Sequence, residues 1–93
     1  MTKLKVSGLD IHSIGAFETN ANDPEKNIEV MKLSDTEHGI YKKLVLQNNH
    51  IIGAVCVGDV SDSFWYHQLM TEKTDIQAFR SNLLLGKAYS DVA

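Results

Sequence analysis

Two periods divide the chain. From Leu4 to about Gly58 apolar and polar residues tend to alternate, and from Asp62 to Leu84 apolar residues recur at intervals of three to four. Alternation marks a strand with one covered face, and the longer spacing marks a helix lying on a core. Leu4-Lys5-Val6 starts a short strand that Gly8 breaks, and Leu9 to Ala16 is a second extended stretch. Gly15 within it signals a bulge or a close approach of backbone. Glu18 to Asn27 is polar, rich in Asn and Asp, and carries the single proline, Pro24. That chemistry predicts a surface loop that adds nothing to the core. Ile28 to Leu33 alternates again and reads as a strand, followed by a turn over Ser34 to Gly39.

The clearest local object is a β-hairpin. Ile40 to Gln47 and His50 to Gly58 are rich in β-formers and are separated by Asn48-Asn49. Asn tolerates the positive φ that both central positions of a tight hairpin turn require. Gln47 then faces His50, and strict alternation sets one face as Ile40, Leu44, Leu46, Ile51, Val55 and Val57, interrupted by Lys42 and Gly53. The other face holds Tyr41, Lys43, Val45, Gln47, His50, Ile52, Ala54 and Cys56. The first face is expected to be the core.

Trp65, Tyr66, Leu69 and Met70 form a helical stripe, so a helix is predicted from Asp62 to about Glu72, with Ser61 or Asp62 as N-cap. Thr74 and Gln77 have the spacing of a capping box, which starts a second helix with Ile76, Phe79, Leu83 and Leu84 inward and Gly86 as its stop. Residues 87–93 are expected to form a loose tail. Strands first and helices last predict an α+β fold: an antiparallel sheet of about four to five strands with two C-terminal helices on one face.

With 93 residues, the chain suits one domain, 1–93, whose core is small enough for a partner surface to add stability. Its formal net charge is −3, and its closest basic pairs are Lys3 with Lys5 and Lys42 with Lys43. Phosphate backbones demand clustered cations, so nucleic acid is not an expected partner. No run reaches the length of a membrane span and no signal-peptide h-region follows Met1, so a cytoplasmic location is expected. The one cysteine, Cys56, lies in an apolar run and reads as a buried small hydrophobe.

The search for chemistry meets structural readings at each turn. Glu18, Asp23 and Glu25 lack the ligand spacing of a calcium loop. His12, His38, His50 and His67 are not spaced as a metal pair, so no metal site is expected. Asp59 and Asp62 lie at the strand-to-helix junction. They could act as an acid–base pair, but helix capping and turn tethering explain them more simply. Gly58-Asp59 at a strand end superficially resembles a flavin-contacting stretch, yet no glycine-rich dinucleotide fingerprint accompanies it. Phe64, Trp65 and Tyr66 are consecutive, so they cannot all point into one core. Either one ring is simply exposed, or the trio meets a partner.

Tyr41-Lys42-Lys43-Leu44-Val45-Leu46, the run from Ile52 to Asp62, the opening Leu4-Lys5-Val6-Ser7-Gly8-Leu9-Asp10 and the later Thr74-Asp75-Ile76 and Leu83-Leu84-Leu85 resemble one family over residues 3–86. It is the C-terminal domain of NADH-rubredoxin oxidoreductases and of the large subunit of NAD(P)H-dependent nitrite reductases. The resemblance implies FAD and NAD(P)H for a full-length parent and no cofactor in this chain. It implies packing against the flavin and nucleotide domains of the same reductase or a redox partner protein, with a homo-oligomer also open. Phe64, Trp65 and Tyr66 are the expected contact residues, and Asp59 and Asp62 would fix the junction. Two other readings stand beside it: a free-standing small protein-interaction domain without enzymatic activity, and an independent enzyme using Asp59, Asp62 and a histidine.

Overall fold

Alternation becomes sheet as expected. The computed structural model describes residues 1–87, and its strands are β1 (Thr2–Val6), β2 (Leu9–Gly15), β3 (Ile28–Asp35), β4 (Ile40–Gln47) and β5 (His50–Val57). They form one sheet in the order β1-β2-β5-β4-β3, antiparallel at every junction. Among the described residues one α-helix, α1 (Ser63–Thr71), follows, and then a 3-10 segment over Gln77–Leu85. The α+β architecture is the expected one. No helix among the described residues is long and apolar enough to cross a membrane. The tail expected over 87–93 lies outside the described residues from position 88 onward; Lys87 itself donates its backbone N–H to Asp62.

The hairpin turn forms as its asparagines dictate, with φ of 52° at Asn48 and 62° at Asn49. Gln47 pairs with His50 and Leu46 with Ile51, but Val45 then pairs with Gly53. Ile52 is therefore an extra residue, a β-bulge that strict alternation cannot anticipate. It shifts the phase of everything after it. Ala54 and Cys56, not Val55 and Val57, join Leu44, Leu46, Ile51 and Ile14 in the core. The cause lies outside the hairpin. At Gly53 a Cβ would press into the backbone of Ala16 and Phe17, and the Ala16 N–H donates to the Ile52 carbonyl at 2.8 Å.

That contact belongs to residues 16–27, which connect β2 to β3 across β5 and β4 on the face away from α1. The polar loop expected over residues 18–27 adds no residue to the buried core, yet the segment is tied to the sheet. Phe17 is half-buried, Asn20 accepts a hydrogen bond from the buried Lys43 ammonium at 2.8 Å, and Asn22 accepts from the Val30 N–H at 2.8 Å. Polar side chains serve because the segment lies on backbone and on a lysine, whose donors need acceptors. The same burial, with Lys32 nearby, lowers the Lys43 pKa.

On the other face α1 lays Trp65, Tyr66 and Leu69 onto the sheet. The second α-helix is replaced by 3-10 turns with a kink at Phe79. Thr74 does not cap it: Asp75 accepts from the Gln77 N–H, and the Ile76 N–H donates to the Asn49 carbonyl at the hairpin turn. The buried Tyr66 hydroxyl donates to the Leu83 carbonyl at 2.8 Å. These two anchors hold the segment to the hairpin and to α1, with Ile76 and Leu83 fully buried. Local capping is worth about 1 kcal/mol, less than seating two large apolar side chains at about 1.5–3 kcal/mol each.

Candidate functional site: the β1–α1 edge

The junction between β5 and α1 is built on Gly58. Its φ is +82°, and a Cβ there would collide with the Gly39 carbonyl oxygen, so the position requires glycine both conformationally and sterically. Asp59 then accepts from the Ser61 N–H at 3.0 Å and from the Ser61 hydroxyl at 2.6 Å. Those hydrogen bonds hold its carboxyl below the usual carboxylate range. Asp62 occupies the N-cap position of α1 without a side-chain capping bond. One carboxylate oxygen instead pairs with Lys42 Nζ at 3.0 Å, and the other accepts from the Lys87 N–H. Lys42 is buried, also donates to the Leu84 carbonyl at 3.3 Å, and lies 5.9 Å from the Tyr66 ring centre. Asp62 thus ties the sheet to the C-terminal segment, whereas Asp59 ties the turn.

The three consecutive aromatics separate. Trp65 is 7% exposed and Tyr66 0%, and the Trp65 ring tilts against those of Tyr66 and Phe79. Phe64 alone of the three is outward, at 58% exposure. Its ring meets His12 edge-on at 6.0 Å, with Lys3 Nζ 4.6 Å from its centre. His12 Nδ1 lies 2.6 Å from the hydroxyl of the buried Ser63, which fixes α1 to β2. Phe64 therefore stands over β1 and β2, at the edge of the sheet.

The opposite face of that edge carries residues the sequence did not single out. Leu4 and Val6 of β1 and Leu9 of β2 are 55%, 53% and 43% exposed. The register pairs Leu4 with Ile11 and Val6 with Leu9, so they share one face. Alternation in Leu4-Lys5-Val6 marks only a short strand; the strand order shows that β1 is the sheet edge and that this side is open.

His38 is bonded through Nδ1 to Asp35 at 2.8 Å, and Glu37 lies beside them on an exposed turn. Two open hollows of about 460 and 510 Å³ flank the Asn48-Asn49 turn. In the first, Arg80 is already paired with Glu29 and bonded to Asn49. The second is lined by His50, Ile51, Met70 and Lys73.

Comparison with known proteins agrees with this architecture. A family model described as the rubredoxin NAD+ reductase C-terminal domain matches residues 1–74, which take in the whole sheet and α1. The nitrite reductase [NAD(P)H] of Bacillus subtilis (strain 168) is 41% identical over 75 residues, covering 81% of this chain and 9% of that protein. The crystal structure of NADH:rubredoxin oxidoreductase from Clostridium acetobutylicum superposes with a TM-score of 0.66 at 26% identity, over 83% of this chain and 19% of that one. The chain thus spans only a small fraction of the length of these relatives. It belongs to the rubredoxin NAD+ reductase C-terminal domain family.

Proposed function

We propose that this chain acts as an accessory domain of a FAD-dependent NAD(P)H oxidoreductase of the rubredoxin-reductase or nitrite-reductase kind, packing against the flavin-bearing body and shaping its acceptor or subunit interface. The observation that carries this reading is the family match over residues 1–74, set against relatives that are reductases of far greater length. Phe64 is the contact residue of the aromatic trio, with Asp59 and Asp62 holding the junction that presents it.

The flavin is assigned to the body. The space a Cβ would take at Gly58 is filled by the Gly39 backbone, and that at Gly53 by Ala16 and Phe17. Asp59, the residue that would reach a ribityl chain, is occupied by Ser61. These residues do not fit FAD.

The test is a chimera in which this chain replaces the matching 75-residue region of the Bacillus subtilis nitrite reductase. NAD(P)H-dependent nitrite reduction should survive within about threefold of the parent, since two regions of one family, 41% identical, present similar backbones to the rest of the protein. Deleting the region should abolish it. A chimera as inactive as the deletion would refute the accessory reading.

A further inference from the structure

We propose that the open apolar face of the β1–β2 edge is the footing on which the reductase body rests, a proposal that depends on the accessory-domain reading above. The strip comprises Leu4, Val6 and Leu9, continued inward by Ile11, Val57 and Tyr41. It is continuous because Leu4 pairs with Ile11, Ile11 with Val57, and Val57 with Tyr41, and cross-strand partners share a face. Residues 16–27 meet this same face at Gly53 and Lys43, whereas Leu4, Val6 and Leu9 remain 55%, 53% and 43% exposed. The other side of β1 carries Lys3 and Lys5, opposite His12 and Asp10. One face of the edge is therefore apolar and the other charged.

Contiguous exposed apolar residues on a small domain mark a surface meant to be covered. The occupant follows from chain order. The matched family is by description a C-terminal domain, and the matched relatives are about five and ten times longer than the region they share with this chain. In a protein of that design the body precedes this fold, and its chain enters at β1. Covalent linkage holds the body beside β1 at millimolar effective concentration, far above what a free second copy reaches. The first surface available to it is the strip that β1 itself displays.

Single cysteines at Leu4, Val6 and Leu9 test this, because the native Cys56 is buried. In the isolated chain each should react rapidly with a maleimide, read at that position by mass spectrometry. In the chimera each should react at least about tenfold more slowly, as expected of an interface core that excludes water, while a Glu37→Cys control on the remote turn reacts equally in both. An active chimera whose three strip cysteines react as fast as in the isolated chain overturns this proposal and leaves the accessory reading standing. An inactive chimera removes both. Slow reaction in the isolated chain that speeds up on dilution would show that a second copy covers the strip, and would also overturn it.

Discussion

Lys42 is a cation at a position where the hairpin's core face calls for an apolar side chain. Its ammonium is stabilised by Asp62, by the Leu84 carbonyl and by the face of Tyr66, so its charge is matched inside the fold. Removing Asp62 alone leaves that charge unpaired. Asp62→Ala should lower stability by about 3 kcal/mol, the low end for breaking a buried pair because the Asp62 side chain is partly solvated. Lys42→Met combined with Asp62→Asn should recover most of the loss, and urea midpoints of the two variants check the difference. Cys56, beside this pair, behaves in the opposite sense. Burial pushes its thiol from the ordinary 9.0 up to about 11. The folded state favours the neutral thiol, so this contribution is complete below the unfolded pKa and is lost as pH rises through about 11. The wild-type urea midpoint should therefore fall more than that of Cys56→Ala between about pH 8 and about pH 10.5. The thiol should also stay unreactive toward a disulfide reagent until the chain is unfolded.

Among the elements, the β5 bulge has the widest consequences. One extra residue at Ile52 exchanges Val55 and Val57 for Ala54 and Cys56 on the core face. Small residues there let α1 approach the sheet closely enough for Tyr66 to reach the Leu83 carbonyl. The bulge and the crossing segment 16–27 depend on each other through Gly53. Gly53→Ala should push Ala16 and Phe17 off the strand and cost about 2 kcal/mol, in the range of overpacking changes. Hydrogen exchange locates the effect: the Ala16 amide, which donates to Ile52, should exchange faster in the variant, while the Leu44 and Ala54 amides keep their order of protection. The 3-10 segment teaches the same lesson. Its shape is set by bonds to Asn49 and Tyr66 and not by the capping pair Thr74 and Gln77.

At the scale of the whole molecule, two layers cover one sheet unequally. α1 and the 3-10 segment pack on one face, and residues 16–27 meet the other at Gly53 and Lys43. With β1 outermost in the order β1-β2-β5-β4-β3, the exposed part of that face falls at the edge where the chain enters. Phe64 stands on one side of that edge and the Leu4–Val6–Leu9 strip on the other. A body clasping β1 would touch both, which connects the activity of the chimera to the protection of its strip cysteines. A domain this small gains from such cover, since its own core leaves a narrow margin of stability.

Much of this was legible in the residues themselves. The order of strands and helices, the Asn48-Asn49 turn, the stripe of α1 and the outward fate of one ring among Phe64, Trp65 and Tyr66 are local properties of period, turn chemistry and helix geometry. The family resemblance was legible for the same reason, since it rests on short runs within the hairpin and its neighbours. Other features arose only when distant segments met. Ala16 against Gly53 set the bulge, Lys42 drew Asp62 away from capping, Asn49 and Tyr66 reshaped the last segment, and the strand order left Leu4 and Val6 uncovered. Each is a contact between residues far apart in the chain, and periodicity within a short window carries no information about which remote backbone or charge will arrive there.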